Sequence, residues 1–419
     1  MKNGFLDIIK AFRTPRIKGP EETEVLDSVF GEDNGYNRFY SRAGIVYRLT
    51  GFVFLFAFLV YLILTTVANL DKITYENAEY IVRNFAERLE DNERESSGMI
   101  YDPDGEMRFS LFGKGLAICG NTGVTVFSAT GRRTCRNVAE MPDPALKASS
   151  KYAVAFGSGG CEYYVYNAFS RVYSGRTERP VYAFSVADNG SYLYITSGEI
   201  YESEIVLCDS DFGIRAVYGK NDPAVCAVID PDGSRFAVIT LGLSGTGKYS
   251  ATLSVYPFAS ETESFTVALE DVLPLDCVFS EEGITVLCDN CVQRFDGAGR
   301  LVCRDFFSGE IVCASLSYGS SAVVTRKTSG VETVYSVLLS ASGRVGLATD
   351  LPEAVFSAAA AGGGVYLLGR GGIRFFDGLL SEPRDPGRAV SEGDVILAYS
   401  DKGLYHVTRS AAYPFSYSD

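Results

Sequence analysis

Between Arg48 and Asp71 the chain runs from Leu49 to Leu70, 22 residues, without a charged side chain. As a helix rising 1.5 Å per residue, such a run covers about 33 Å, enough to cross the hydrocarbon core of a bilayer. The pattern predicts one transmembrane helix over 45–70. A buried core helix or a cleaved signal peptide are the alternatives. A signal peptide's apolar region is only about 7–15 residues and lies near the start. Here 48 residues precede the run, and no small-residue cleavage site follows it. Gly51 and the aromatic series Phe52, Phe54, Phe56, Phe58 and Tyr61 form no small-xxx-small stripe, so helix dimerisation is not indicated.

On either side the pattern stays helical for a short distance. Ile73, Ala78, Ile81, Val82, Phe85 and Leu89 keep a 3.6-residue period to about Asn92, opposite a face of acids with Arg83 and Arg88. This predicts a juxtamembrane helical stalk over 71–97, ended by Ser96, Ser97 and Gly98. Upstream, Phe5, Ile8, Ile9 and Phe12 beside Lys2, Lys10 and Arg13 suit a short helix on an anionic leaflet, or else a disordered start. Thr14 to Asn37 reads as a flexible linker, making 1–44 a partly disordered cytoplasmic tail.

From residue 98 the period changes from 3.6 to 2. Short runs of Val, Ile, Tyr, Phe and Thr alternate with Gly, Asp, Asn and Ser turns, predicting an all-β domain over 98–419. Aligned on its turns, the domain repeats. An apolar run, a polar turn and a second apolar run occur as Val225 to Val228, Asp230-Pro231-Asp232-Gly233-Ser234 and Phe236 to Thr240. They recur around Asp188-Asn189-Gly190-Ser191 and Glu281-Glu282-Gly283. A second hairpin follows each, turning at Gly131-Arg132, Gly213, Gly297 to Arg300 and Gly343-Arg344.

Two hairpins make a four-stranded blade. First strands near Met107, Leu146, Val181, Ala224, Leu275, Ile311, Ala354 and Ala389 are spaced by 39, 35, 43, 51, 36, 43 and 35 residues, the spacing of a β-propeller of eight blades, with seven the alternative. The final unit reads as three strands, Arg388 to Val390, Val395 to Tyr399 and Leu404 to Thr408. A strand near Met99 to Tyr101 would complete it and latch the ring.

The segment Asp230-Pro-Asp-Gly-Ser-Arg-Phe-Ala-Val-Ile resembles the repeats of WD40- and TolB-type propellers. The whole arrangement of tail, span and propeller resembles a family of Gram-positive bacterial single-pass membrane-anchored propeller proteins, a domain of unknown function. That resemblance implies a fold and a location and carries over no catalytic residue.

Charge narrows the function. Residues 1–48 hold 8 Lys/Arg and 7 Asp/Glu, net +1, and the remainder 30 and 45, net −15, summing to −14. An acidic domain is repelled by phosphate backbones, which argues against nucleic-acid binding. Lys and Arg near the span are balanced, Arg38, Arg42 and Arg48 against Lys72, Arg83 and Arg88. The basic first twenty residues then favour a cytoplasmic N-terminus and an extracytoplasmic propeller.

Chemistry is sparse. Without Trp the chain lacks the Trp-Asp ending of standard WD40 blades, the Trp docking motifs of quinone-cofactor propellers and the Asp boxes of sialidases. The single histidine, His406, sits in a strand and reads as a satisfied sheet residue, so neither a Ser-His-Asp nor a Cys-His dyad is proposed. Gly242-Leu-Ser-Gly-Thr-Gly247-Lys248-Tyr249 departs from a phosphate loop at its last position and is followed by a strand pattern. Asp209-Ser-Asp211-Phe-Gly213 has calcium-loop spacing but lacks the later Glu and occupies a hairpin turn.

Cys288-Asp-Asn-Cys291, with Cys277 and Cys303 in the same blade, leaves open a thiol cluster, whether free thiols, disulfides or a zinc site. All ten cysteines lie between Cys119 and Cys313. No cofactor, metal or catalytic residue is assigned. The sequence therefore points to a membrane-anchored protein-interaction, scaffold or envelope-sensing module whose acidic, Tyr-rich propeller face meets a protein partner. The alternative is a glycan-active hydrolase or lyase using carboxylates in the funnel.

Overall fold

The computed structural model describes residues 35–68, 98–243, 249–260, 262–280, 283–341, 346–361, 364–380, 390–391, 393–401 and 403–416. The chain divides into two compact units, Met1–Thr74 and Tyr75–Asp419.

The described part of the first unit is helix α1 (Gly35–Ala68). It begins inside the tail expected over 1–44, because no proline and no glycine before Gly44 interrupts propagation once Gly35 is passed. Its described side chains are 44 and 46–61, and the large apolar ones are exposed, Phe54 at 72% and Phe52 at 67%. Among the described residues no helix is long and apolar enough to cross a membrane. The described side-chain run from 46 to 61 covers only about 24 Å. The rest of the expected span, the stalk over 71–97 and the tail before residue 35 lie outside the described residues.

The second unit is all β. A short strand β1 (Met99–Ile100) is followed by the blades. Blade 1 is β2 (Arg108–Phe112), β3 (Gly115–Gly120), β4 (Gly123–Phe127) and β5 (Arg133–Val138). Blade 2 is β6 (Pro144–Ala148), β7 (Ala153–Gly157), β8 (Glu162–Tyr166) and β9 (Arg171–Arg176). Blade 3 is β10 (Val181–Val186), β11 (Tyr192–Thr196), β12 (Ser203–Cys208) and β13 (Ile214–Lys220). Blade 4 is β14 (Ala224–Ile229), β15 (Arg235–Leu243), β16 (Tyr249–Pro257) and β17 (Phe265–Leu269). Blade 5 is β18 (Pro274–Ser280), β19 (Gly283–Cys288), β20 (Cys291–Asp296) and β21 (Leu301–Phe306). Blade 6 is β22 (Glu310–Leu316), β23 (Ser320–Ser329), β24 (Glu332–Ala341) and β25 (Leu347–Leu351). Blade 7 is described as β26 (Val355–Ala361), β27 (Gly364–Gly369) and β28 (Gly372–Asp377), and blade 8 comprises β29 (Val395–Ser400), β30 (Gly403–Val407) and β31 (Ala411–Ser416). β1 pairs antiparallel with β31 and completes blade 8, so the ring is closed by its own ends.

This is the eight-bladed propeller that the repeat spacing predicts, including the latch near Met99. The last blade is shifted: it opens at Val395, not near Ala389, and its third strand is β31, not Leu404 to Thr408. Pairing decides this, since β29 and β30 register from Val395↔Val407, leaving Ala411 to Ser416 as the next edge for β1 to meet. Val390 is described outside any strand, and 388–389 lie outside the described residues.

Second strands such as β3, β7, β11, β19, β27 and β30 are buried at every position, because each lies between two neighbouring blades. The outer strand β17 alternates exposed and covered positions. The core is accordingly a set of eight clusters, one per seam between adjacent blades. The seam between blades 5 and 6 has the smallest apolar content, Leu287, Val292, Val323 and Leu338.

Tyrosine substitutes for the missing Trp. Tyr166, Tyr192, Tyr366 and Tyr405 are among the largest fully buried side chains. A buried Tyr ring fills a seam while its hydroxyl finds a partner at the edge, and Tyr182, Tyr201, Tyr249 and Tyr318 stay exposed. Tyr405 Oη donates to the Lys114 carbonyl (2.6 Å), Tyr101 Oη to the Thr408 carbonyl (2.6 Å), and the Tyr163 and Tyr192 hydroxyls meet at 2.9 Å.

Candidate functional site

The two ends of the axial opening differ. Where first and second strands turn, a cavity of about 390 Å³ is lined by Leu111, Ala148, Ser149, Ser185, Asp188, Val228 and Val278, among others. Its one carboxylate among the described residues, Asp188, accepts a hydrogen bond from the Ser150 amide (2.7 Å). The adjacent turns hold one another, the Asp188 amide donating to the Pro231 carbonyl (2.9 Å). In the 230–234 turn Gly233 takes a φ of 74°, a conformation that favours glycine, and Arg235 Nε donates to Asp230 Oδ2 (2.6 Å). Among the described residues, paired carboxylates of the kind a glycosidase needs are not brought together in this cavity; Glu281 and Glu282, in the corresponding turn of blade 5, lie outside the described residues.

The opposite end is built by a repeated irregularity. In blades 3 to 7 the innermost strand carries a bulge at its second residue, or in blade 6 its third, so that one extra residue opposes none on the partner strand. These residues are Tyr182, Val225, Leu275, Val312 and Phe356. All five lie near the end of an innermost strand that is opposite its turn into the second strand. Four of the five are exposed, Tyr182 by 56%, Leu275 by 46%, Val225 by 40% and Val312 by 37%, and Phe356 is half-buried. They form an apolar arc.

Each arc residue closely follows an acid: Glu178, Asp222, Asp271, Glu310 and Glu353. Glu310 is paired with Arg326 (2.5 Å) and Glu353 with Arg374 (2.8 Å). Glu178, Asp222 and Glu270 are exposed and have no ion pair among the described residues. The nearby cations Arg179 and Lys220 are held by Glu199 (3.5 Å) and Glu263 (3.3 Å). The rim over blades 3 to 5 is therefore net negative.

Lys220 belongs to a surface pocket of about 600 Å³ with Tyr256, Thr262 and Glu263. Its ammonium donates to Tyr256 Oη, which donates to Glu263 Oε1, and Lys220 also lies over the Tyr256 ring at 5.0 Å. Burial pushes the Tyr256 hydroxyl pKa up. Burial also acts to raise that of Glu263, but hydrogen bonds from Thr266 and Tyr256 and the Lys220 charge outweigh it, leaving Glu263 below its ordinary range. This depressed folded-state value contributes stability that is present above the unfolded pKa and lost as pH falls through the folded one. Glu263→Gln is expected to flatten the acid limb of the melting-temperature profile below about pH 5, by no more than ~1 kcal/mol because solvent screens the group. An unchanged acid limb would remove this role.

The thiols divide into groups that their spacing did not show. Cys226, Cys277, Cys288 and Cys291 all lie in the core between blades 4 and 5. Cys277 meets Cys226, Sγ to Sγ 3.1 Å, and not its own blade's thiols. Cys288 and Cys291 flank a two-residue turn and are hydrogen-bonded to each other. The Cys288 bond draws Cys291 down to about 7 against the effect of burial, with Gln293 and Arg304 assisting. Cys303 lies elsewhere, donating to Asp305 Oδ1 (3.0 Å). Among the described residues no group of three or more His, Cys, Asp or Glu side chains could hold a metal ion.

His406 is a buried sheet residue whose Nε2 lies 2.9 Å from Asp394 Oδ2. The turn at Asp209 to Gly213 is held by Asp211 Oδ1 accepting from the Gly213 amide (3.2 Å), with Phe212 at φ 67°. Residues 244–248 of the phosphate-loop-like segment lie outside the described residues, and it joins paired strands, Leu243↔Tyr249.

A family model described as Family of unknown function (DUF5711) matches residues 90–368. No curated protein sequence matches the chain. The fold is similar to the WD40 domain of SCAP from fission yeast, at 11% identity and TM-score 0.51, covering 77% of this chain and 97% of that one. It is also similar to the computationally designed Ika8 protein, at 13% identity and TM-score 0.53, covering 77% and 99%. These likenesses establish the WD40-type propeller fold.

Proposed function

The chain belongs to the DUF5711 family of unknown function, and from that premise we propose that it is a single-pass, membrane-anchored propeller that binds a protein partner through its apolar arc. The observation that carries this reading is the arc itself. Five consecutive blades place an extra, mostly exposed apolar residue around one axial mouth, beside an acidic rim. Such a surface complements a polypeptide whose apolar side chains are flanked by Lys or Arg.

The anchor is α1 with the uncharged run to Leu70, whose described side chains expose one apolar residue after another. The tail lies in the cytoplasm, where it meets a cytoplasmic partner, and the propeller lies outside a Gram-positive cell membrane. The acidic charge supports binding without nucleic acid.

Two measurements test the reading. Full-length protein is expected to stay with membranes through a high-salt wash and to leave only with detergent; release by salt alone overturns the span. For the face, a synthetic peptide of Phe and Leu flanked by Lys is titrated by fluorescence anisotropy against its Glu-flanked counterpart. Leu275→Asp is expected to weaken the Lys peptide about tenfold or more without unfolding the ring. Equal affinity for both peptides, or no effect of the substitution, counts against the face.

A further inference from the structure

We propose that Cys226 and Cys277 are a redox-modification site, a dithiol that closes to a disulfide across the seam between blades 4 and 5. Their sulfurs lie 3.1 Å apart although the residues are 51 positions apart in the chain. One is on β14 and the other on β18, adjacent innermost strands, and both are buried in the same apolar core. The seam therefore already holds the two sulfurs in contact, about 1 Å beyond a disulfide bond length.

Their surroundings assign the roles. The contact between the sulfurs, with burial adding to it, holds the Cys277 proton more tightly than that of an ordinary thiol. Cys226, at 9% against 5% the more exposed of the two, is the first nucleophile. Half-buried Asp276 borders the pair, accepting from Cys226 Sγ (3.8 Å) and from the Cys277 amide (2.8 Å).

The oxidant is a low-molecular-weight disulfide. The Cys226 sulfur, its proton lost to solvent, attacks one sulfur of the reagent, forming a mixed disulfide and releasing one thiol. Cys277 then loses its proton, attacks the Cys226 sulfur and releases the second thiol. Two protein thiols are oxidised and one reagent disulfide is reduced to two thiols. Because Val225 adjoins Cys226 and Leu275 lies two residues before Cys277, closure fixes the spacing of two arc residues. Only this last consequence rests on the proposed binding face.

The test uses full-length protein in detergent, incubated with excess oxidised glutathione, acid-quenched, unfolded, alkylated and mapped by peptide mass spectrometry. A linked peptide pair containing Cys226 and Cys277 is expected, with a melting temperature raised by roughly 5–10 °C and restored by dithiothreitol. Cys226→Ala is expected to abolish the shift while its reduced form keeps the native circular dichroism. Complete alkylation of both residues after oxidation, or linkage of either only to another cysteine, overturns the proposal, whether or not any peptide binds the arc.

Discussion

Asp305→Ala is expected to cost about 3–5 kcal/mol of folding stability, because it removes a buried carboxylate from beside the Arg294 guanidinium and from the three donors that it accepts from. Asp305 is 7% exposed and Arg294 is 8% exposed. The carboxylate lies 3.7 Å from the Arg294 guanidinium and accepts from Ser340 Oγ (2.6 Å), the Gly346 amide (2.9 Å) and Cys303 Sγ (3.0 Å). Ser340 and Gly346 belong to blade 6, so this group joins blades 5 and 6 where their apolar cluster is smallest. A Cβ on Gly346 would come within 2.5 Å of Asp305 Cγ, so glycine is required there for the carboxylate to approach the backbone. Urea unfolding followed by tyrosine fluorescence measures the loss. The paired change Asp305→Leu with Arg294→Met is expected to recover only part of it, since it removes both charges but leaves the Ser340 hydroxyl and the Gly346 amide without their acceptor. A single-variant loss below about 1 kcal/mol would mean that water or a shifted Arg294 already solvates the site.

Ala412→Asp is expected to open the ring, with a loss of several kcal/mol or no folded propeller at all. Ala412 and its partner Met99 are both 0% exposed and sit in the cluster that packs blade 8 on blade 1. A carboxylate there meets Met99, Tyr101, Leu116 and Ile118 and finds no cation among the members of that cluster. Because β1 is only two residues long, the latch depends on this packing more than on its backbone hydrogen bonds. Ala412→Ser, a small polar change, is expected to keep the fold with a moderate loss. Circular dichroism and thermal melting distinguish the two. An Ala412→Asp protein melting within a few degrees of the parent would show that the termini do not hold the ring.

The blades were legible because every repeat carries the same local signals, an apolar run, a Gly- or Asp-containing turn and a second run. Those signals depend only on neighbouring residues, and they located the inner strands to within a few positions, as at Val181 and Ala224. They slipped by one strand at the last blade, where Ala411 to Ser416, interrupted by Pro414, did not read as a strand although the latch near Met99 did. The arc was also written in the chain: paired apolar residues lie at or next to the start of β10 (Val181-Tyr182), β14 (Ala224-Val225), β22 (Ile311-Val312) and β26 (Val355-Phe356), each a break in strict alternation. Without knowing which strand is innermost, that break has no direction.

The thiols show the limit most clearly. Spacing grouped Cys277 with Cys288, Cys291 and Cys303 because they share one blade. The structure paired Cys277 with Cys226 of the blade before it and placed Cys303 against Asp305. Alternation along a strand sends successive side chains to opposite seams, and the occupant of each seam is supplied by a different repeat. The order of the elements, the repeat and the charge balance were therefore determined by sequence alone, since each is a property of residues near one another in the chain. Which sulfur faces which, and which apolar residues gather at one mouth, were decided by ring closure, which brings together positions that the linear order keeps about forty or more residues apart; which carboxylate holds which arginine was decided by strand pairing within a blade, as for Arg294 with Asp305 and Arg326 with Glu310.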